Sequence, residues 1–221
     1  MTGELDGLLR SLRVWDPAVT ELPPFDPATA PAEPLPLFTR WFAEAVAAGE
    51  REPHTVSLAT ADEDGRPDVR IVMLHGADPD GWSFATHSGS RKGRQLAARP
   101  QAALALYWPL LGRQVRVRGP VGAAPPEQAR ADLGVRSTGA LAAALTGRQS
   151  EPLESLAQLA DTSAAAWERA RREPDAPAPT WTLYRLRPDE VEFFQGDARR
   201  QHVRLVYRRE ATGWRRGLLW P

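Results

Sequence analysis

Lys92 is the single lysine of the chain; every other member of its 28 basic residues is arginine. It stands in Ser88-Gly89-Ser90-Arg91-Lys92, just ahead of Gln95-Leu96-Ala97-Ala98. Hydroxyls, two cations and the unpaired N–H groups of an opening helix make a seat for a phosphate. The Ala-, Arg- and Pro-heavy composition suggests a GC-rich genome, in which lysine drifts to arginine. A lysine kept at this place points to a task rather than to a solvated helix start. Gln114 and Gln149 carry both donor and acceptor, although alone they read as ordinary glutamines. The four histidines (His54, His75, His87, His202) show neither HxxxH nor HxH spacing, and there is no cysteine. That argues against a metal site, thiol catalysis or disulfides.

The elements that must position these residues follow from local pattern. Arg70 to Leu74 is apolar and β-branched, as a buried strand should be. Asp78-Pro79-Asp80-Gly81 is turn chemistry, and Trp82 to Thr86 alternates as a second strand. His54–Thr60 and Pro67–Leu74 pair as a hairpin through Asp62-Glu63-Asp64-Gly65. Leu35 to Ala48 repeats apolar residues at helical spacing and stops at Gly49. Gln101–Trp108 and Gln114–Val121 are strands, the second setting Val115 and Val117 inward and Arg116 and Arg118 outward. Residues 126–133, 139–147 and Pro152–Arg172 are helical, the last with a stripe of Leu153, Leu156, Leu159, Ala160 and Trp167. After a Pro174–Pro179 linker come strands Trp181–Leu186, Glu190–Phe194, Val203–Arg208 and Trp214–Leu218. Short antiparallel strands with helices between them predict an α+β fold, a closed or nearly closed β-barrel with flanking helices. No GxGxxG follows a strand, which argues against a Rossmann site.

Two parts are expected along the chain: a loosely ordered arm at 1–34, rich in Pro, Asp and Ala, and one domain at 35–221. Net charge is zero, which argues against nucleic acid or an acidic membrane as partner. No apolar run approaches a membrane span and the N-terminus has no signal core, so a soluble, cytoplasmic protein is expected.

Taken in order, several strings resemble the pyridoxamine/pyridoxine 5′-phosphate oxidase family. They are Arg70-Ile71-Val72-Met73-Leu74, Thr86 with Gly89-Ser90-Arg91-Lys92, Arg113-Gln114-Val115 and Arg148-Gln149-Ser150. Val191 to Gly196, Arg200-Gln201-His202-Val203-Arg204 and a C-terminal proline complete the set. The resemblance implies an FMN-binding split β-barrel that is homodimeric, with FMN in clefts at the dimer interface. Arg70 and Lys92 would contact the FMN phosphate, with Ser90 and Arg91 beside them. Thr86, Gln114, Gln149, Ser150 and Arg204 would hold the ribityl chain and ring edge, and Ile71, Val72 and Met73 would line the same site. Phe194 stands where the family usually has tryptophan, and Ala85 where tyrosine is common. Arg200 and His202 would be the catalytic pair, covering the substrate ring on the face away from the flavin.

The substrate side departs from the family. Where a Lys, a Tyr, an Arg and a Ser hold the substrate phosphate, this chain has His75, Asp132, Arg136 and Ala140. Only the arginine survives, and Asp132 brings negative charge to the phosphate position. The pattern is similar to that of the flavin oxidases of phenazine biosynthesis. It implies an oxidase that passes hydride from a non-phosphorylated cyclic or aromatic substrate to FMN and then to O2. Arg136 would pair with a substrate carboxylate; Asp132 would oppose a phosphate, or instead pair with Arg136 and hold it for that carboxylate. Two other readings stay open: a pyridoxamine/pyridoxine 5′-phosphate oxidase with a rebuilt anchor, and a non-catalytic flavin-binding protein.

Overall fold

The computed structural model describes residues 2–16 and 18–221; Met1 and Pro17, both in the expected arm, lie outside the described residues. The chain divides into two compact units. One comprises Met1–Pro53, Tyr107–Val115 and Glu192–Pro221, the other His54–Leu106 and Arg116–Val191. They are called the first and the second unit below.

The second unit is built on β1 (Thr55–Ala61), β2 (Pro67–Met73), β3 (Gly76–Asp78), β4 (Gly81–His87) and β7 (Trp181–Leu186). It also holds most of β5 (Gln101–Trp108) and β6 (Arg113–Ala123). Its strands run β2-β1-β5-β6, and β6 continues to β7, β4 and β3. The β1–β2 hairpin sets Leu58 opposite Arg70 and Thr60 opposite Asp68, while β4 lies antiparallel to β7 with Phe84 opposite Tyr184. Alternation follows the strand period: on β1 Val56 and Leu58 are fully buried, and on β6 Val117 is buried while Arg116 and Arg118 face outward, as expected.

Two expectations for this unit are corrected. β2 is not a buried strand: it ends the strand order, and Val69, Ile71 and Met73 are 65%, 61% and 40% exposed. A strand on the rim has one neighbour, so its β-branched composition reports sheet formation and not burial. The long helix α6 spans Leu156–Arg172 and not Pro152–Arg172, because Ser155 caps it by accepting from Gln158 N. Its leucine stripe does not enter the core. Leu153, Leu156 and Leu159 are exposed, and Ala166 and Ala170 are the buried residues instead. Helix α5 (Thr138–Thr146) is alanine-rich where it packs, so small residues on both sides let the two backbones approach. Helices α3 (Arg91–Ala98) and α4 (Pro126–Gly134) complete the unit.

The first unit contains α1 (Thr2–Ser11), α2 (Pro34–Ala47), β9 (Val203–Glu210), β10 (Gly213–Leu219) and most of β8 (Glu190–Gln195). Its strands run β10-β9-β8-β6. The core is aromatic: Trp41 of α2 meets Phe193 edge-on at 5.2 Å, and Phe193 meets Tyr207 at 5.8 Å. α2 ends at the expected glycine, Gly49, which takes the left-handed φ of +79°. In the arm, Leu5, Leu8 and Leu9 of α1 and Leu12 just after it are all exposed, while Ala30 is buried and Phe25 packs on Trp41.

Candidate functional site

In the second unit, α3 starts where the sequence places it. Ser90, wholly buried, accepts from Gly93 N and caps the helix. Gly93 has no room for a Cβ, which would sit 2.2 Å from the Ser88 carbonyl oxygen. This tight entry turns Lys92 inward, 8% exposed, and leaves Arg91 exposed on the rim of an open cavity of about 560 Å³ shared with Arg66, Asp68, Arg94 and Gln95. Lys92 Nζ donates to Thr86 Oγ1 at 3.0 Å and to Gln149 Oε1 at 2.9 Å, and Thr86 donates to the same Gln149 oxygen at 2.8 Å. Both acceptors of the lysine are neutral. Burial, and then the nearby Arg70, hold its pKa down at about 8, with Asp68 opposing. Arg70 donates to Leu58 O, to Thr60 Oγ1 at 2.7 Å and to Gln95 Oε1 at 2.9 Å, and pairs with Asp68 at 2.7 Å. Three expected contacts, Thr86, Lys92 and Gln149, are thus brought together. Ser150, at a left-handed φ of +73°, is exposed beside Gln149; Ala85 is half-buried on β4, and Ile71 and Met73 lie on the open face of β2.

A second cluster in the same unit joins the residues expected at the substrate anchor. Asp132 Oδ2 accepts from His75 Nδ1 at 2.7 Å, and its Oδ1 accepts from Arg136 Nη2 at 2.7 Å. Arg136 also donates to the His75 carbonyl at 3.4 Å. One carboxylate therefore ties the imidazole to the guanidinium. Burial pushes His75 below the usual histidine value, although Asp132 draws it back up and Arg136 and His54 oppose. Ala140 is not drawn into this cluster; it packs on the apolar group of Leu133, Leu141 and Ala142.

In the first unit, Arg200 and His202 meet the arm. Trp15 lies edge-on to His202 at 5.4 Å and stacks on Phe194 at 6.2 Å; Phe194 and His202 are 5.3 Å apart. Arg200, at a left-handed φ of +68°, donates to Val14 O at 3.3 Å. His202 Nδ1 accepts from Asp197 N at 3.0 Å. Arg204 donates to Glu192 at 2.8 Å and to Trp220 O at 2.9 Å, and the Glu192 bond holds its pKa up. Gln114 is half-buried on β6, next to the fully enclosed Arg113.

Sequence reasoning missed Thr60, Asp68, Gln95 and Trp15. Gln95 falls three positions after Lys92 on the buried face of α3, a spacing that could have found it. Asp68 precedes Arg70 by two on one face of β2, a second available signal. Thr60 depends on hairpin register and Trp15 on where the arm settles, and neither leaves a local trace.

A family model described as pyridoxamine 5′-phosphate oxidase matches residues 42–194, most of the chain. The chain belongs to the pyridoxamine 5′-phosphate oxidase family. A second model, the pyridoxine 5′-phosphate oxidase C-terminal dimerisation region, matches residues 181–221. Among curated members of the family, a pyridoxine/pyridoxamine 5′-phosphate oxidase of Rubrobacter xylanophilus is 44% identical over 192 residues, covering 87% of this chain and 88% of that one. The oxidase of the same name from Pseudomonas fluorescens is 43% identical over 88% of this chain and 91% of its own. Among solved structures, PhzG from Burkholderia lata, in complex with tetrahydrophenazine-1-carboxylic acid, is similar with a TM-score of 0.85. It is 33% identical, over 91% of this chain and all of that one. The fold class is thus the one expected, an antiparallel split β-barrel with flanking helices, as in other family members. Among the described residues no helix is long and apolar enough to cross a membrane.

Proposed function

We propose that this family member is a homodimeric FMN-dependent oxidase acting on a carboxylated, non-phosphorylated cyclic substrate, with O2 as final acceptor. The cofactor reading rests on the donor set around Lys92. A buried lysine whose acceptors are both neutral, close to Arg70 and to the start of a helix, suits a phosphomonoester of nearly two negative charges. FMN, when bound, supplies the two-electron chemistry and its return to O2. The chain's residues place the partners. Arg70, Lys92, Ser90 and Arg91 serve the phosphate, and Thr86, Gln149 and Ser150 the adjoining chain. Ile71, Val72, Met73, Ala85, Gln114, Phe194 and Arg204 keep the cofactor roles that the family pattern gives them, and Arg200 and His202 keep theirs toward the substrate ring. A cytoplasmic location and an arm at residues 1–34 belong to the same reading.

The observation that carries the substrate class is the Asp132 bridge. A phosphate anchor needs several donors aimed at one dianion, whereas Asp132 already accepts from both His75 and Arg136. A dianion would face that carboxylate, with Arg136 as the one family cation left. PhzG, solved with a tricyclic carboxylic acid, supports the same class. The names of the curated relatives favour the second reading, oxidation of pyridoxine or pyridoxamine 5′-phosphate. Comparing kcat/KM for pyridoxine 5′-phosphate with that for a dihydrophenazine carboxylate tests the two. The carboxylate is expected to win; preference for the phosphate ester would restore vitamin salvage as the function. Absence of H2O2 from both would leave a flavin-binding protein without turnover.

A further inference from the structure

Apart from the residues considered so far, the second unit holds an open cavity of about 380 Å³ lined by α4 and the segment Pro174–Pro179. From α4 come Ala129, Arg130 and Leu133, and Leu141 and Trp181 join them. Ala129, Leu133 and Leu141 are buried, so much of the lining is apolar. Three of the six residues of the segment are proline, whose fixed φ stiffens that wall. Backbone bonds pin it: Ala176 N donates to Glu173 O at 3.0 Å, and Trp181 N to Ala178 O at 2.9 Å. A wall already set loses little freedom when a molecule settles against it. Two charges belong to the same lining, Arg130 from α4 and Asp175 from the segment, both exposed. Neither side chain forms an ion pair or a hydrogen bond among the described residues. Asp132, on the same helix as Arg130, is by contrast committed to His75 and Arg136. Trp181 is unsatisfied as well: its Nε1 is the one enclosed side-chain nitrogen or oxygen without a partner among the described residues. An enclosed donor without an acceptor is a cost that a ligand oxygen relieves.

We propose that this cavity binds a small zwitterion with an apolar body, an α-amino acid with an aromatic or branched side chain: Arg130 takes the carboxylate, Asp175 takes the ammonium group, and the side chain lies against Leu133, Leu141 and Trp181. The volume is that of a small ligand pocket, enough for one such molecule. Two opposite charges that share a small cavity without pairing leave each one available to a third party. The guanidinium fork matches a carboxylate, and a carboxylate accepts from the three N–H donors of an ammonium group. A simple anion is drawn by Arg130 and repelled by Asp175, and a simple cation meets the reverse. Only a molecule that carries both charges gains twice, so the pair selects by what it rejects as well as by what it holds. The site uses neither His75 nor Arg136, and it stands or falls independently of the substrate reading above.

The test uses the full-length, FMN-loaded protein and three probes built on one ring. They are L-phenylalanine, 3-phenylpropionate, which lacks the ammonium group, and phenethylamine, which lacks the carboxylate. Calorimetric titration should give phenylalanine a Kd about tenfold lower than either analogue, the worth of one charge-assisted hydrogen bond. Glycine, with both charges and no side chain, should bind about tenfold more weakly than phenylalanine, because the apolar lining is left unused. Arg130→Gln should cancel the advantage over phenethylamine and keep that over 3-phenylpropionate; Asp175→Asn should do the converse. Both positions are exposed, so the two variants should fold as the parent does. This crossed pattern also separates the cavity from any other place where a ring carboxylate could bind. Equal Kd values for the three ring probes, glycine binding as tightly as phenylalanine, no detectable binding of phenylalanine, or a preference that neither substitution alters would each overturn the assignment.

Discussion

Two buried cations, Lys92 in the second unit and Arg113 in the first, are treated in opposite ways. Arg113, 3% exposed, donates from Nε to Gln195 Oε1 at 2.9 Å, pairs with Glu44, and lies over the Trp41 ring at 4.4 Å. The protein itself neutralises that charge. Lys92 is almost as enclosed, yet the atoms it touches are a hydroxyl and an amide oxygen, and its pKa falls to about 8. Removing a charge from water is costly unless it is paired, so a cation left with neutral neighbours is a local destabilisation that an arriving anion relieves. Enclosure alone does not separate structure from function; the identity of the counter-charge does.

The contrast is open to direct attack. Arg113→Ala should be the most damaging change, lowering unfolding free energy by about 2–4 kcal/mol through two charge-assisted bonds and a ring contact. Chemical denaturation of the FMN-free protein checks it, and a loss below about 1 kcal/mol would undo the claim that this cation is structural.

Lys92→Met should do the reverse. FMN-free stability should hold or rise, while FMN affinity falls ten- to a hundredfold, the roughly 1.5–3 kcal/mol of a charged phosphate contact. Fluorescence titration of the flavin reads the affinity and a melting curve the stability. An FMN-free variant that melts well below the parent would place Lys92 in the same class as Arg113.

The smallest effect is a pH slope. The folded-state pKa of Lys92, about 8, lies below its ordinary 10.5. Between these values the unfolded chain binds the extra proton, so FMN-free stability gains a contribution as pH rises through this window. Bound phosphate favours the charged lysine, so FMN affinity should weaken over the same range. Lys92→Met should flatten both slopes; slopes unchanged by the substitution would show that another group sets them.

Much of this was legible from local pattern. The turn at Asp78–Gly81, the strand after it and the helix opening at Ser90-Arg91-Lys92 formed as expected, because turn residues, period-two alternation and a serine cap agree there, although a short unforeseen strand, β3, precedes the turn. The sequence reading erred where a residue's surroundings lie far along the chain. Ile71 has the composition of a core strand and sits on an open edge, and Leu156 belongs to a helical stripe that faces solvent because alanines make the contact instead. The Asp132 bridge shows the same limit inside the site. His75 and Asp132 are 57 positions apart, and only the fold reveals that the two departures from the family pattern are partners.

Lys92 also gives the chain an analytical property. With no second lysine, an acylating reagent aimed at ε-amines has one address, and a lysine-specific protease one cleavage site. A pKa near 8 leaves a substantial share of that amine in its nucleophilic form under mild conditions, while its 8% exposure restricts reagent entry to moments when the seat opens. The mass shift of a single peptide therefore records how often this part of the molecule breathes, and how fully a tenant keeps it shut.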